Sequence, residues 1–203
     1  MVKTALLNKL RSSLEGLLRR IAWIISKTRV TPNQLTLSTI LLALAGYVLT
    51  IQYKTPFILL ATILTTGFLD AIDGSLARLT NTASRRGAFL DSFTDRICEI
   101  IYSLTLIELG FNTKLVLLYL AFSLMVSYTR ARGESLGVNM SGVGLMERAE
   151  RLIGLSIILL LYAYIPDIAL LLFIVLTILT GITVLERFLY AWRVLSSQSA
   201  DRS

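Results

Sequence analysis

Histidine is missing altogether from the 203 residues, and cysteine occurs once, at Cys98. The first absence excludes imidazole bases, imidazole nucleophiles and every metal site built on histidine. The second excludes a disulfide framework and a cysteine cluster, and leaves the redox compartment open. A bound metal must therefore sit on oxygen ligands, and a proton must move through a carboxylate, a lysine or a tyrosine. Charge is scarce as well: 16% of residues are Asp, Glu, Lys or Arg, against about 25% in an average soluble domain. Apolar residues fill the gap, 55% of the chain with a mean hydropathy of +0.71, which is a membrane composition. A spanning helix takes about 20 residues plus a short turn, so the chain has room for about six. The net charge of +7 and pI near 9.8 would suit a nucleic-acid binder, but the placement of the charges explains them otherwise.

The first thirty residues have no uninterrupted apolar stretch, because Lys3, Lys9, Arg11, Arg19, Arg20, Lys27 and Arg29 punctuate them; a cleavable signal is not expected. Leu6, Leu10, Leu14, Leu17, Leu18, Ile21 and Ile25 recur at helical spacing, which predicts an amphipathic helix lying in the membrane interface over 1–30. Thr31-Pro32-Asn33 breaks it. Apolar runs over Leu35–Gln52, Pro56–Arg78, Gly87–Leu109, Leu115–Ser135, Arg151–Ile165 and Ile168–Leu189 then predict six spanning helices. The expected architecture is a single all-α integral membrane domain, residues 1–203: an interfacial helix, a six-helix bundle over 35–193 and a polar tail from 194. With the sides alternating, 18 of the 20 basic residues fall on one face, and only Lys54 and Lys114 on the other. The positive-inside rule makes that face cytoplasmic, with both termini on it. The charge is then topology plus attraction to anionic membrane lipid, and nucleic acid is not needed to explain it.

Four aspartates, Asp70, Asp73, Asp91 and Asp95, lie inside the second and third predicted spans. Each ionised carboxylate at mid-bilayer costs about 2.5–3.5 kcal/mol, so four uncompensated ones would cost on the order of 10 kcal/mol. Depth arithmetic brings them together. The second span runs inward from Pro56, so Asp70 is ~21 Å and Asp73 ~25 Å along it. The third returns from Gly87, placing Asp91 ~6 Å and Asp95 ~12 Å below the cytoplasmic edge. The i,i+3 and i,i+4 spacings put each pair on one helix face. Four facing carboxylates without His or Cys form a hard-oxygen cluster suited to Mg²⁺ or Mn²⁺. Two such ions would balance the four charges and clamp phosphoryl oxygens. Gly74 and Ala77 leave a groove beside the first pair, Arg78 ends that face, and Gly87 opens the face of the second.

The string Asp70-x-x-Asp73-Gly74-x-x-Ala77-Arg78, eight residues, Gly87-x-x-x-Asp91-x-x-x-Asp95 resembles the full signature of the CDP-alcohol phosphotransferases. The resemblance implies that an alcohol hydroxyl attacks the phosphorus of a CDP-linked lipid and CMP leaves. It implies metal binding by Asp70, Asp73 and Asp91, with Asp95 both touching metal and acting as general base. It implies that Gly74, Ala77 and Arg78 hold the cytidine diphosphate, with Ser84 and Gly87 beside it, and that Thr31, Pro32, Asn33 and Gln34 form a substrate-contacting entry to the first span. A homodimer is implied too. Arg96 and Glu99 flank Asp95 and are expected to pair with each other at i,i+3.

For the acceptor, the basic residues outside the signature matter. Ser127-Tyr128-Thr129-Arg130-Ala131-Arg132 ends the fourth span and Glu186-Arg187 closes the sixth. Several arginines near a carboxylate–metal site suggest a phosphorylated alcohol, held by Ser127, Arg130, Arg132 and Arg187. These segments and Glu147–Leu152 resemble the inositol-phosphate branch of the family, the phosphatidylinositol phosphate synthases and their archaeal counterparts. That branch commonly has Lys where Arg130 stands. Glycerol 3-phosphate or a neutral alcohol, serine or inositol, is the alternative acceptor. A small cation transporter would explain the carboxylates but not Arg78, the groove, or why the acidic groups stop at one depth.

Overall fold

The computed structural model describes residues 15–200, and every secondary-structure element among them is helical. Helix α1 is described over 15–26; α2 spans Pro32–Tyr53, α3 Pro56–Leu79, α4 Arg85–Glu108, α5 Thr113–Ser135, α6 Arg148–Tyr162 and α7 Pro166–Ala200. The positions Leu6, Leu10 and Leu14 of the predicted amphipathic stripe lie outside the described residues.

Local chemistry sets the boundaries. All three prolines, Pro32, Pro56 and Pro166, stand first in a helix, where the missing N–H costs nothing and the fixed φ fits. Thr31 and Gln34 close a capping box at the head of α2: Gln34 N–H donates to Thr31 Oγ1 at 3.3 Å and Thr31 N–H to Gln34 Oε1 at 2.9 Å. That box starts α2 three residues before the predicted Leu35. The far ends of α3, α4 and α5 share one cap. Asn81, Gly110 and Gly137 take positive φ (55°, 94° and 82°). The following N–H in each case, from Thr82, Phe111 and Val138, bonds the carbonyl five residues back, at Ala77, Leu106 and Gly133. No such stop occurs near residue 189, and α7 continues through Ala200; the polar tail expected from 194 is therefore helical as far as the described residues run.

Among the described residues, four helices, α2, α3, α5 and α7, are long and apolar enough to cross a membrane. Helix α4, also predicted to span, carries Arg85, Arg86, Asp91, Asp95, Arg96, Glu99 and Glu108, and α6 has 15 residues; neither meets that measure by length and composition. Large apolar side chains cover the outside, and hydroxyls share the core with apolar side chains. Leu41, Leu64, Leu171 and Leu185 are exposed while Thr66, Thr105, Thr177, Thr180 and Thr183 are buried. The buried hydroxyls donate to carbonyls one turn back, as Thr180 does to Leu176 at 2.7 Å, which satisfies them without water. Large apolar side chains outside and hydroxyls bonded to their own helix inside are the pattern of a membrane protein.

The chain forms two compact units. The first comprises the described residues up to Gly46 together with Thr62–Cys98. The second comprises Tyr47–Ala61 and the chain from Glu99 onward. In the second, α7 packs on α5 and α6, and Phe173 meets Phe111 edge-on at 5.2 Å between ring centroids and Tyr119 at 5.3 Å.

Candidate active site

In the first unit, Asp70 on α3 and Asp91 and Asp95 on α4 each offer a carboxylate oxygen within 4.8 Å of the other two. Asp70 and Asp91 are half-buried, and Asp95 is 8% exposed. These three are the only described residues in such a metal-competent group. Oxygens sharing one Mg²⁺ stand at most ~4.2 Å apart, so small side-chain rotations would close the set on an ion. With no nitrogen or sulfur donor present, the set is chemically fit for Mg²⁺ or Mn²⁺. Arg96 Nη1 lies 3.2 Å from Asp95 Oδ2 and holds that oxygen from the neighbouring position.

The fourth expected carboxylate, Asp73, lies outside this group. It is buried, and its Oδ2 accepts from Thr36 Oγ1 at 2.6 Å. Asp73 and Asp91 both border a cavity of about 190 Å³. Pro32, Asn33, Gly74, Ala77, Arg78, Ser84 and Gly87 border it too, which is most of the predicted donor-binding set. A Cβ on Gly87 would stand 3.3 Å from Ser84 Oγ and 3.5 Å from Asn33 Oδ1, so hydrogen there keeps the wall open. Ser84 caps α4, accepting from Gly87 N–H at 3.1 Å. Thr31 and Gln34 do not line the cavity; their side chains are engaged in the capping box. They set the direction of the helix end that carries Pro32 and Asn33. Reasoning along the sequence missed Thr36, whose only sequence signal is its place one turn after Pro32 on the same face.

The second unit carries the residues expected at an acceptor phosphate. Arg130 is 44% exposed, and its Nε donates to Glu134 Oε1 at 2.9 Å, an i,i+4 pair on the surface. Arg132 is exposed at the end of α5. Ser127 Oγ donates back to the Ser123 carbonyl at 3.3 Å. Arg187 is 2% exposed, and its guanidinium has partners within the protein. Nε donates to the Val143 carbonyl at 2.8 Å, Nη1 to the Val126 carbonyl at 2.7 Å and Nη2 to Glu147 Oε1 at 3.2 Å. This is a loop anchor. The loop complies through Gly144, whose φ of +100° and close approach to the Thr183 methyl admit no side chain. The predicted Arg96–Glu99 pair is corrected. Arg96 turns to Asp95, and Glu99 binds Arg151 Nη2 at 2.5 Å, with Arg151 1% exposed. The buried guanidinium of Arg151 offers Glu99 a stronger, more fully desolvated partner than half-buried Arg96 can.

A carboxylate cluster that shares Asp91 with a cavity lined by Gly74, Ala77 and Arg78 suits a phosphotransferase of the membrane. The family model described as CDP-alcohol phosphatidyltransferase matches residues 29–196, and the chain belongs to that family. Its relatives include the archaetidylinositol phosphate synthase of Aeropyrum pernix, 39% identical over 184 residues covering 90% of this chain and 94% of the relative. The phosphatidylinositol phosphate synthase of Corynebacterium glutamicum is 36% identical over 155 residues, 70% of this chain and 68% of the relative. Among solved structures, the Mycobacterium tuberculosis phosphatidylinositol phosphate synthase in complex with manganese and citrate superposes with a TM-score of 0.78 at 25% identity, covering 86% of this chain and 88% of that one. The same enzyme with CDP-DAG bound gives a TM-score of 0.79 at 24% identity, over 87% and 94% of the two chains.

Proposed function

We propose that the protein transfers the phosphatidyl or archaetidyl group of a CDP-linked lipid to inositol phosphate and releases CMP. The observation that carries this reading is the Asp70, Asp91 and Asp95 cluster, with Asp91 also bordering the cavity walled by Gly74, Ala77 and Arg78. The names of the relatives support the acceptor, and the manganese complex of one of them supports the metal. Asp70, Asp73, Asp91 and Asp95 would hold two Mg²⁺ or Mn²⁺ ions, which supply charge neutralisation and polarisation of the donor diphosphate. Arg78 and the bare backbone beside Gly74 orient that diphosphate. Asp95 takes the proton from the acceptor hydroxyl. The hydroxyl oxygen then bonds the lipid-bearing phosphorus as the bond from that phosphorus to CMP breaks. Ser127, Arg130, Arg132 and Arg187 meet the acceptor phosphate, Arg130 exchanging Glu134 for it.

In the membrane we read six spans, α2 to α7, with α1 in the interface and the site and both termini on the cytoplasmic side. The separation of inward Leu18, Ile21, Ala22 and Ile25 from exposed Trp23 and Ile24 on α1 supports the interfacial placement. We read the two units as one domain, because the family match runs across both, and the protein as a homodimer, as the family resemblance implies. The test is CMP release by purified protein with Mg²⁺ or Mn²⁺, CDP-diacylglycerol or CDP-archaeol, and a panel of acceptors. Inositol phosphate is expected to support turnover well above glycerol 3-phosphate, serine and free inositol. Equal use of free inositol and its phosphate would overturn the acceptor, and no CMP release with any pair would overturn the reaction.

A further inference from the structure

Thr36 stands outside the signature, yet it reaches into it. It is 5% exposed, lies one turn inside α2, and borders the same cavity as Asn33 and Asp73. Its Oγ1 is 2.6 Å from Asp73 Oδ2 and 3.1 Å from the Pro32 carbonyl. A hydroxyl has one proton to give. The shorter approach, to a charged acceptor, takes it: O–H···O⁻ bonds run about 2.5–2.7 Å and are roughly twice as strong as neutral ones. The Pro32 contact is the ordinary i−4 approach of a helical threonine. Asp73, held this way, is the signature carboxylate that stands apart from the three-oxygen group.

We infer that Thr36 is a positioning residue for Asp73, fixing the orientation of its carboxylate in the cavity wall before any ligand arrives. The β-branched side chain has few χ1 choices, so the hydroxyl is itself held. The first span thereby contributes to the site through Asp73 as well as through its capped N-terminus. The inference rests on the proposed reading that Asp73 serves the metal site.

The experiment measures Mn²⁺ binding to the purified protein without substrate, by titration against free Mn²⁺ in the electron paramagnetic resonance signal. Thr36→Val keeps the shape and removes the donor; it is expected to weaken binding about ten- to a hundred-fold, the size of one hydrogen bond to a charged group. Thr36→Ser keeps the donor and is expected to bind nearly as the parent does. Adding Thr36→Val to Asp73→Asn is expected to cost little more than Asp73→Asn alone, since both act through one contact. If the valine variant does not fold, Thr36→Ala is measured in the same cycle. Parent-like binding by Thr36→Val alongside weakened binding by Asp73→Asn would overturn this inference alone, as would additive effects. Parent-like binding by Asp73→Asn would overturn the metal role of Asp73 and this inference with it.

Discussion

Four aspartates of one residue type divide into different tasks because their neighbours differ. Asp70 and Asp91 have the cluster, Asp73 has Thr36, and Asp95 has the cluster and Arg96. Asp95 is the one assigned to proton removal, and that assignment separates its variant from the others. Asp95→Asn is expected to lower kcat by about 10²–10⁴-fold, the usual contribution of a positioned base, while the KM for the CDP-lipid stays within a few-fold. Steady-state kinetics at saturating acceptor reads the split. A KM for the donor that rises in step with the loss of kcat would make Asp95 a metal ligand and nothing more.

Among the helices, the balance of local and distant chemistry decides what can be read along the chain. Apolar runs broken by Pro32, Pro56 and Pro166 mark helix positions well, because proline acts on its own residue and the next turn. The depth match of the Asp70 and Asp91 regions follows from helix rise alone. What escapes such reading is partnership across the sequence. Spacing pairs Glu99 with Arg96 three residues away, yet its partner is Arg151, 52 residues on. Thr36 finds Asp73 at 37 residues, and Arg187 finds the Val126 carbonyl at 61. Spacing rules see i,i+3 and i,i+4; burial chooses otherwise. The Glu99–Arg151 pair ties α6 to α4, and a buried pair broken on one side leaves a charge without compensation. Arg151→Met is expected to cost about 3–5 kcal/mol, and Arg151→Met with Glu99→Leu to recover most of it. Thermal melting of the two variants against the parent checks this. A double variant as unstable as the single one would locate the loss in packing of the arginine stem.

For the whole molecule, the site and the stability are in conflict, and the conflict can be measured. Three carboxylate oxygens lie within 4.8 Å of one another inside a helical bundle. Two unit charges at that distance repel by about 3.5 kcal/mol at an effective dielectric of about 20. A chain selected for stability alone would not gather them; a bound divalent ion turns the repulsion into attraction. Binding to the folded state alone stabilises it by about 2.7 kcal/mol at a concentration a hundred times the dissociation constant. Mn²⁺ is therefore expected to raise the melting temperature of the chelator-treated protein, and fresh chelator to lower it again. Asp91→Asn separates this from a general salt effect, because it removes one repelling charge and one ligand together. Without metal, that variant is expected to melt above the parent. With Mn²⁺, it is expected to gain little, so the order of the two proteins reverses. A metal-free Asp91→Asn protein less stable than the parent, together with an undiminished response to Mn²⁺, would show that the carboxylates neither strain the fold nor hold the ion.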